Sequence, residues 1–292
     1  MRWALCIAAC VAFAQQVPDP NFAPPIDAPA FAAGKGPRVL VDEAHHNFHT
    51  VSGRYATFAN LLRRDGYRVS GLTHLFSAET LRDADVLVIA NPLHAGNANN
   101  WKLPTPSAFT PEEIAAVVTW VRNGGSLLLI ADHMPFPGAA MDLGKAVGVT
   151  FHNGYARPSS ARGGPAAFDR KSGMLREHAI TKGVDLVATF TGSAFRLDAP
   201  GDPLLVFDAS FQSWAVTQAS RFPENTPRIP VDGWLQGAAL SLGKGRVAVF
   251  GEAAMFSAQL SGPNKQPMGM NHPLAAQNPL LLRNVMRWLS ER

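Results

Sequence analysis

The sequence predicts an α/β fold in which a mainly parallel central sheet carries helices on both faces. Short apolar runs without polar interruption recur along the chain, as is typical of parallel strands that are buried on both faces. Segments with helical spacing of apolar residues alternate with these runs. With 47% apolar residues among 292, the chain can bury one large core. We therefore expect a single three-layer sandwich of the flavodoxin type.

The positions of these runs give the order of the elements. Strands are predicted at residues 38–41, 67–69, 85–90, 126–131, 203–207 and 246–250, the last as the second arm of a hairpin over 237–250. Helices are predicted at 55–62, 111–122 and 278–289. The stretch 159–173, rich in glycine, serine and arginine, is predicted to be a surface loop.

The second helix has the clearest boundaries. Thr110 is a typical helix cap, Pro111 suits the first helical position, and Glu113 completes a capping box. Gly124 and Gly125 end the helix before the next apolar run begins. This strand–helix–strand order supports a parallel sheet.

The first residues indicate export. A positive Arg2 and an apolar run from Trp3 to Ala14 that ends in an A-x-A sequence are typical of a cleaved signal peptide. A second interpretation takes Ile7–Cys10 as a lipoprotein box with a lipid on Cys10, but the leader before it would be unusually short. We expect a periplasmic or extracellular protein with a signal peptide (1–14), a proline- and alanine-rich lead-in (15–37) and a single α/β domain (38–292).

Composition excludes several functional classes. Both cysteines, Cys6 and Cys10, lie in the predicted leader, so the mature chain is expected to have neither a disulfide nor a catalytic thiol. The formal net charge is +4 and the basic residues are scattered, so we expect no nucleic-acid partner. No later apolar stretch is long enough to predict a transmembrane segment.

Histidines and carboxylates follow the predicted strands. In open parallel sheets, ligands bind outside the carboxyl ends of the strands. Seven of the nine histidines lie at or near such ends or in adjoining loops: His45, His46, His49, His94, His133, His152 and His272. We therefore expect a site for a small molecule or a glycan at this edge of the sheet.

Two sets of residues are the candidates for this site. The candidate catalytic residues are Glu43, His46, Asp132, His133 and Glu252. The candidate ligand-binding residues are Asp42, His45, Asn47, His49, Asn271 and His272. Structural roles are the alternative: Asp42 would cap the turn after its strand, and His45 or His46 would be a hydrogen-bonded, partly buried side chain.

A metal site is one interpretation of the cluster. If residues 45–49 form a helical turn, His45 and His49 share a face at metal-ligand spacing. Asp132, His133, Glu252 or His272 would then supply a third ligand to a divalent transition metal such as zinc, and Glu43 or Glu252 would be the general base for a water molecule. The identity of the metal, and whether one binds, stay open at this point.

Other motifs are absent or weak. No G-x-G-x-x-G follows the first strand, the two Gly-Lys-Gly sequences lack phosphate-loop spacing, and Ser193 does not lie in a G-x-S-x-G elbow. Trp101 or Trp214, if exposed on a loop, would be able to stack on a sugar ring.

The order of elements and four stretches of sequence resemble the class I glutamine amidotransferase-like superfamily. The stretches are 42–49, 123–133, 178–184 and 251–256, and within the superfamily the chain resembles a bacterial branch near trehalose-utilisation-like proteins and gliding-motility transport auxiliaries. True amidotransferases place a cysteine nucleophile at the turn after the strand that matches 126–131. Here that turn reads Asp132-His133-Met134-Pro135, so the resemblance implies the scaffold and the place of the site, without glutamine hydrolysis.

These observations leave two main hypotheses for function. The first is an exported glutamine amidotransferase-like domain without amidotransferase activity, which binds a carbohydrate or another cell-envelope ligand. The alternative is a hydrolase that activates water with a His/Asp/Glu cluster, with or without a metal. A third hypothesis, a scaffold for protein partners, gives no reason for histidines gathered at one edge.

Overall fold

The computed structural model describes residues 16–160 and 164–291. The predicted signal peptide and the alternative lipid anchor at Cys10 lie outside the described residues. The helices are α1 (Ala56–Arg64), α2 (Ala78–Leu81), α3 (Pro111–Arg122), α4 (Phe136–Val147) and α5 (Asn278–Ser290). The strands are β1 (Gln16–Pro18), β2 (Arg38–Asp42), β3 (Arg68–Leu72), β4 (Val86–Ala90), β5 (Ser126–Ile130), β6 (Val149–Phe151), β7 (Tyr155–Pro158), β8 (Ala166–Asp169), β9 (Leu186–Thr189), β10 (Phe195–Leu197), β11 (Asp202–Val206), β12 (Phe211–Trp214), β13 (Arg228–Pro230), β14 (Leu235–Leu242), β15 (Gly245–Phe250), β16 (Ala258–Ser261) and β17 (Gln266–Gly269).

The central sheet has nine strands and confirms the predicted α/β fold. Its order is β3-β2-β4-β5-β15-β14-β10-β6, and β11 also pairs with β14. The five neighbouring strands β3, β2, β4, β5 and β15 run parallel to one another. Beyond β15 the pairs are antiparallel, so the sheet is mixed and its parallel part is the half that the apolar runs predicted.

Alternate residues of the parallel strands pack on opposite faces and produce the three layers. In β2, Val39 and Val41 face the core that includes α1 and α5, whereas Leu40 faces the core that includes α3 and α4. The same alternation holds in β4, β5 and β15. The structure therefore has helices on both faces of a buried sheet, as predicted.

The predicted helices match α1, α3 and α5, and the capping box of α3 forms as expected. The helix α4 was not predicted, because no side-chain cap marks its start and Gly138 and Gly144 within it disfavour a helix from sequence alone. The prediction of a loop over 159–173 is wrong for residues 166–169, which form β8 and pair with β9. Residues 161–163 of that loop lie outside the described residues.

The lead-in lies along the domain surface as a strap. Its strand β1 pairs with β16, and Asp19 accepts a hydrogen bond from Asn271. Phe31 packs edge-on against Tyr67 at a centroid distance of 5.1 Å, and Phe22 and Ile26 also contact the core. None of the helices within the described ranges combines the length and the apolar character that crossing a membrane requires.

Two small sheets stand at the edge of the central sheet. One, the β7 sheet, has the order β13-β12-β7, and the other, the β16 sheet, has the order β1-β16-β17. They contribute residues to the same cavity as the loops that follow β2, β4, β5 and β15.

Candidate functional site

A cavity of about 680 Å³ lies at the carboxyl ends of the parallel strands. Asn91 follows β4, and Asp132 and His133 follow β5. The β7 sheet adds Tyr155 and Arg157 to the lining. The three strands of the β16 sheet add Gln16, Gln259 and Met268. The site therefore occupies the edge at which ligands bind in open parallel sheets.

Aromatic side chains form most of the apolar wall. Trp101 packs against Phe48 and Phe136 at centroid distances of 5.0 and 5.1 Å, and it is half-buried. The aromatic lining residues are Phe48, Trp101, Phe136, Tyr155, Phe190, Phe207, Phe211 and Phe222. Such a wall suits the flat or apolar face of an organic ligand.

A chain of hydrogen bonds joins three lining residues from three loops. The backbone N–H of Asp132 donates to Asn91 Oδ1 at 2.8 Å, and Asn91 Nδ2 lies 3.3 Å from His49 Nδ1. Because Asn91 Nδ2 is a donor, His49 Nδ1 accepts and the ring proton lies on Nε2. Asn91 has a φ of 52°, a left-handed conformation that asparagine tolerates better than most residues.

Four buried polar atoms of the lining have no hydrogen-bond partner among the described residues. They are His49 Nε2, Arg54 Nε, Gln236 Oε1 and Gln259 Oε1. Buried polar atoms are nearly always paired in folded proteins, and leaving one unpaired costs about 1–3 kcal/mol. Each of the four has almost no exposed surface, and eight further buried side-chain atoms of the described residues also lack a partner, so these atoms do not by themselves indicate a ligand.

His49 is a neutral side chain. Burial lowers its pKa well below the usual value, and the charges of Arg54 and His133 act in the same direction. The ring contacts Tyr55 at a centroid distance of 4.6 Å. Its Nε2 N–H is therefore fixed in place and buried.

The carboxylate of Asp132 is held by three donors. It accepts from the backbone N–H of His133 at 2.6 Å, from the hydroxyl of Thr191 at 3.1 Å and from the N–H of Ala253 at 3.4 Å. The side chain is 6% exposed. Asp132 thus ties the turn after β5 to the segment after β15.

His133 has one free ring nitrogen. Its Nδ1 lies 2.8 Å from the carbonyl oxygen of Met134, so Nδ1 is the donor. Its ring stacks on Tyr155 at 4.2 Å with an interplanar angle of 10°. These contacts fix the ring and leave Nε2 as the atom that can exchange a proton with a bound molecule.

Glu252 is a buried structural group. Its oxygens accept the N–H groups of Ala254 and Met255 at 3.0 and 2.6 Å, and its side chain is 0% exposed and does not line the cavity. Burial and the charge of Asp132 raise its pKa well above the usual value. In this position Glu252 supports the turn below the cavity and has no path to a water molecule within it.

His45 lies on the other side of its loop, between two carboxylates. Its Nδ1 is 2.9 Å from Asp42 Oδ1 and its Nε2 is 2.9 Å from Glu113 Oε1. Asp42 also accepts the N–H of Ala44, as expected for a capped turn, and the amide of Asn47. Asp42, His45 and Asn47 therefore stabilise the loop instead of lining the cavity.

The remaining candidates also lie away from the cavity lining. Glu43 accepts the N–H of Val51 at 2.7 Å, and His46 is exposed with a φ of 47°. Asn271 donates to Asp19 in the strap, and His272 caps a 3-10 helix (Pro273–Ala275). Of the eleven candidates, the structure brings His49, Asp132 and His133 to the cavity.

The candidate residues do not converge as metal ligands. The segment 45–49 is not helical, and His45 and His49 have different partners, Asp42 with Glu113 and Asn91 respectively. Within residues 16–160 and 164–291, no group of three His, Asp or Glu side chains is arranged to hold a metal ion. The donor set described here does not fit zinc.

Several lining residues were missed by the sequence analysis. Asn91 directly follows a predicted strand, and that position was the available signal for it. Arg54 precedes α1, and Arg157, Gln236 and Gln259 lie on strands beyond the parallel half of the sheet. No local pattern marks these four, because antiparallel strands and small sheets bring them to the edge.

Comparisons with known proteins show the fold. No protein-family model matches the chain, and no curated protein matches its sequence. The chain is similar to the solved structure of the mmIFT52 N-terminal domain, with 15% identity and a TM-score of 0.62 over 87% of this chain and 98% of that one. The cytoplasmic protein STM1381 from Salmonella typhimurium LT2 matches with 14% identity and a TM-score of 0.53, over 87% and 99% of the two chains.

A ThuA-like protein from Bacteroides uniformis is also similar, with 16% identity and a TM-score of 0.50 over 91% of this chain and 94% of that one. Matches at such low sequence identity show a shared fold only, and function has to be inferred from the residues of the site. The chain therefore shares the α/β fold of these solved structures.

Proposed function

We propose that the protein binds a carbohydrate or another cell-envelope ligand in the cavity at the carboxyl edge of its sheet. The observation that carries the proposal is a cavity of about 680 Å³ whose wall combines aromatic side chains with polar ones such as His133, Arg54 and Arg157. A saccharide offers both of the required surfaces, since its hydroxyls donate and accept hydrogen bonds and its ring face packs on aromatic side chains such as Trp101.

A glycan array tests this function. We expect the wild-type chain to bind a subset of glycans and Ala98→Trp to lose that binding, because Ala98 lines the cavity and a tryptophan there narrows it. Ala95→Trp is the matched control, since Ala95 is exposed, precedes Ala98 by three residues and does not line the cavity. Wild-type protein that binds no glycan, or binding that Ala98→Trp leaves intact, would refute the proposal.

Hydrolysis is a second candidate function, and the geometry of His133 favours it. With Nδ1–H bound to the Met134 carbonyl, Nε2 is available to remove a proton from water while the water oxygen attacks the electrophilic carbon of an ester or glycoside. The bond from that carbon to the leaving oxygen breaks, and the imidazolium returns the proton to that oxygen. The arrangement needs no metal. A panel of 4-nitrophenyl esters and glycosides tests it: turnover by the wild type should fall at least about 100-fold in His133→Gln.

The control for that assay is His94→Gln, because His94 is exposed and caps a 3-10 helix (Ala95–Asn97) outside the cavity. Equal turnover by the His133 and His94 variants would exclude His133 as the base. Absence of turnover in the wild type leaves binding as the function.

We also propose that the chain is exported and that its mature part is a relative of glutamine amidotransferase-like domains without the nucleophilic cysteine. The apolar leader from Trp3 to Ala14 supports export. Amino-terminal sequencing of the protein recovered from the periplasm should begin at Gln15. Labelling of Cys10 with a fatty acid would instead support the lipoprotein alternative, and a cytoplasmic protein with an intact amino terminus would contradict export.

A further inference from the structure

The cavity contains a half-buried cation with no counterion. Arg54 lies over the ring of Phe48, with Cζ 3.6 Å from the ring centroid, and its Nη1 donates to the Phe48 carbonyl at a long 3.4 Å. Its Nε is buried without a partner. In the part of the chain that the structure describes, no carboxylate oxygen lies within 4.0 Å of this guanidinium.

This arrangement is unfavourable for the empty protein. Burial lowers the pKa of Arg54, and no neighbouring carboxylate offsets the effect. Arginine nevertheless keeps its charge in proteins, so the cavity holds a partly desolvated positive charge. Buried charges are normally paired, and the missing partner is therefore expected from outside the chain.

The cavity as a whole has an excess of positive charge. Among the residues that the structure describes, the charged lining residues are Arg54, Arg157 and Asp132, and the Asp132 carboxylate already accepts three hydrogen bonds. Arg157, on β7, lies 5.2 Å from the ring of Trp214 and 5.1 Å from that of Phe222, which holds a second guanidinium at the lining. A neutral sugar would leave this charge uncompensated.

We propose that the cavity binds a ligand with an anionic group, a carboxylate or a phosphate, and that Arg54 binds this group. The inference rests on the proposed function, because it names the class of carbohydrate: acidic sugars. The guanidinium can offer either group two parallel N–H donors. The Phe48 ring, whose centroid lies 3.6 Å from Arg54 Cζ, covers one side of the guanidinium.

The test uses glycan arrays that carry neutral glycans beside matched members with a uronic acid or a sugar phosphate. We expect the wild-type chain to retain acidic members at least about tenfold more strongly than neutral ones. Raising the salt concentration should weaken this preference. Arg54→Gln should abolish it, and Arg54→Lys should restore part of it because the charge returns without the fork.

Arg64→Gln is the matched control. Arg64 is exposed at the end of α1, and its substitution removes the same charge from the same part of the chain without touching the cavity. Thermal unfolding of each variant without glycan checks that it is folded. If Arg54→Gln is not folded, Arg54→Lys still tests the proposal.

The outcomes separate this inference from the proposed function. Wild-type protein that binds neutral and acidic members equally, or neutral members alone, overturns the anion proposal and leaves glycan binding intact. An acidic preference that survives in Arg54→Gln also overturns it. Wild-type protein that binds no member of either set overturns both. Uronic acids and sugar phosphates, compared with each other, identify which anion the site takes.

Discussion

At the scale of single residues, the buried His45 is the clearest structural group near the site. It is 3% exposed and bridges Asp42 to Glu113, which also completes the capping box of α3. Burial by itself lowers the pKa of His45, but the hydrogen bonds and charges of the two carboxylates leave that pKa raised. The imidazolium thus connects the loop after β2 to the start of α3.

Removing His45 should strongly destabilise the protein. His45→Ala leaves two buried carboxylates facing each other without a cation, so we expect the free energy of unfolding to fall by about 3–5 kcal/mol. Urea unfolding measures the change. His74→Ala, at an exposed histidine, should change it by less than about 0.5 kcal/mol. A loss below about 1 kcal/mol in His45→Ala would show that the carboxylates do not depend on the imidazolium.

The same cluster predicts a defined pH dependence. The raised pKa of His45 means that its contribution is complete below about pH 6.5 and is lost as the pH rises through the folded-state value. The pKa of Glu113 is lowered against the effect of burial by donors at Thr110, His45 and Phe76, so its contribution is present above about pH 4.5 and is lost as the pH falls.

The stability difference between the wild type and His45→Gln should therefore be largest between about pH 4.5 and 6.5 and should shrink toward pH 9. Denaturant unfolding at several pH values measures it. A difference that is constant or grows above pH 7 would mean that His45 is neutral in the folded protein.

Single histidines also explain why the predicted cluster was larger than the observed one. His94 and His272 each accept, through Nδ1, the backbone N–H two residues ahead and so cap a 3-10 helix. Loop histidines of this kind follow strands for structural reasons. Position after a strand correctly indicated the edge of the sheet, but it did not distinguish these caps from His49 and His133, whose environments depend on distant elements.

At the scale of elements, the loop between β4 and α3 positions the aromatic wall. The side-chain amide of Asn97 donates to three carbonyls of this loop, those of Asn100, Lys102 and Pro104, at 2.9, 3.0 and 3.3 Å. The loop also bonds to the segment before β13 through Leu103 and Thr217. One side chain thus organises the turn that carries Trp101.

Asn97→Ala should loosen this loop without unfolding the domain. Three hydrogen bonds are lost, so we expect faster tryptic cleavage after Lys102 and weaker binding of any glycan that contacts Trp101. Asn100→Ala is the control, because that side chain is exposed and the wild-type rate should persist. Equal cleavage rates in the wild type and Asn97→Ala would show that Asn97 does not hold the loop.

Elements with strong local signals were predictable and the others were not. The parallel strands β2, β4 and β5 are continuous apolar runs, and α3 has an explicit cap, so sequence alone located them. The helix α4 has no side-chain cap at its start, and its stability comes from packing Phe136, Leu143 and Val147 into the core. Such tertiary contributions leave no local pattern.

At the scale of the whole molecule, the strap contacts two elements near the other end of the sequence, β16 and α5. Ala28 accepts a hydrogen bond from Arg283 in α5, which also contacts Asp65, and β1 pairs with β16. Gln16 and Gln259, from these paired strands, both line the cavity. The strap therefore contributes to stability and to the site.

A chain that begins at Arg38 should be less stable than one that begins at Gln16. The deletion exposes the apolar surface that Phe22, Ile26 and Phe31 cover, so we expect the Tm to fall by at least about 5 °C. Thermal unfolding followed by circular dichroism measures the difference. Equal Tm values would show that the domain is complete from residue 38 and that the strap rests on it without stabilising it.

The cavity is the feature that belongs to the whole molecule, and a crystal structure of the chain with a glycan selected on the array tests it most directly. We predict a saccharide at the carboxyl edge of the sheet, with a polar atom within about 3.2 Å of His133 Nε2 and a ring face against the aromatic wall. A saccharide bound elsewhere, with the cavity filled by ordered water, would contradict the proposed site.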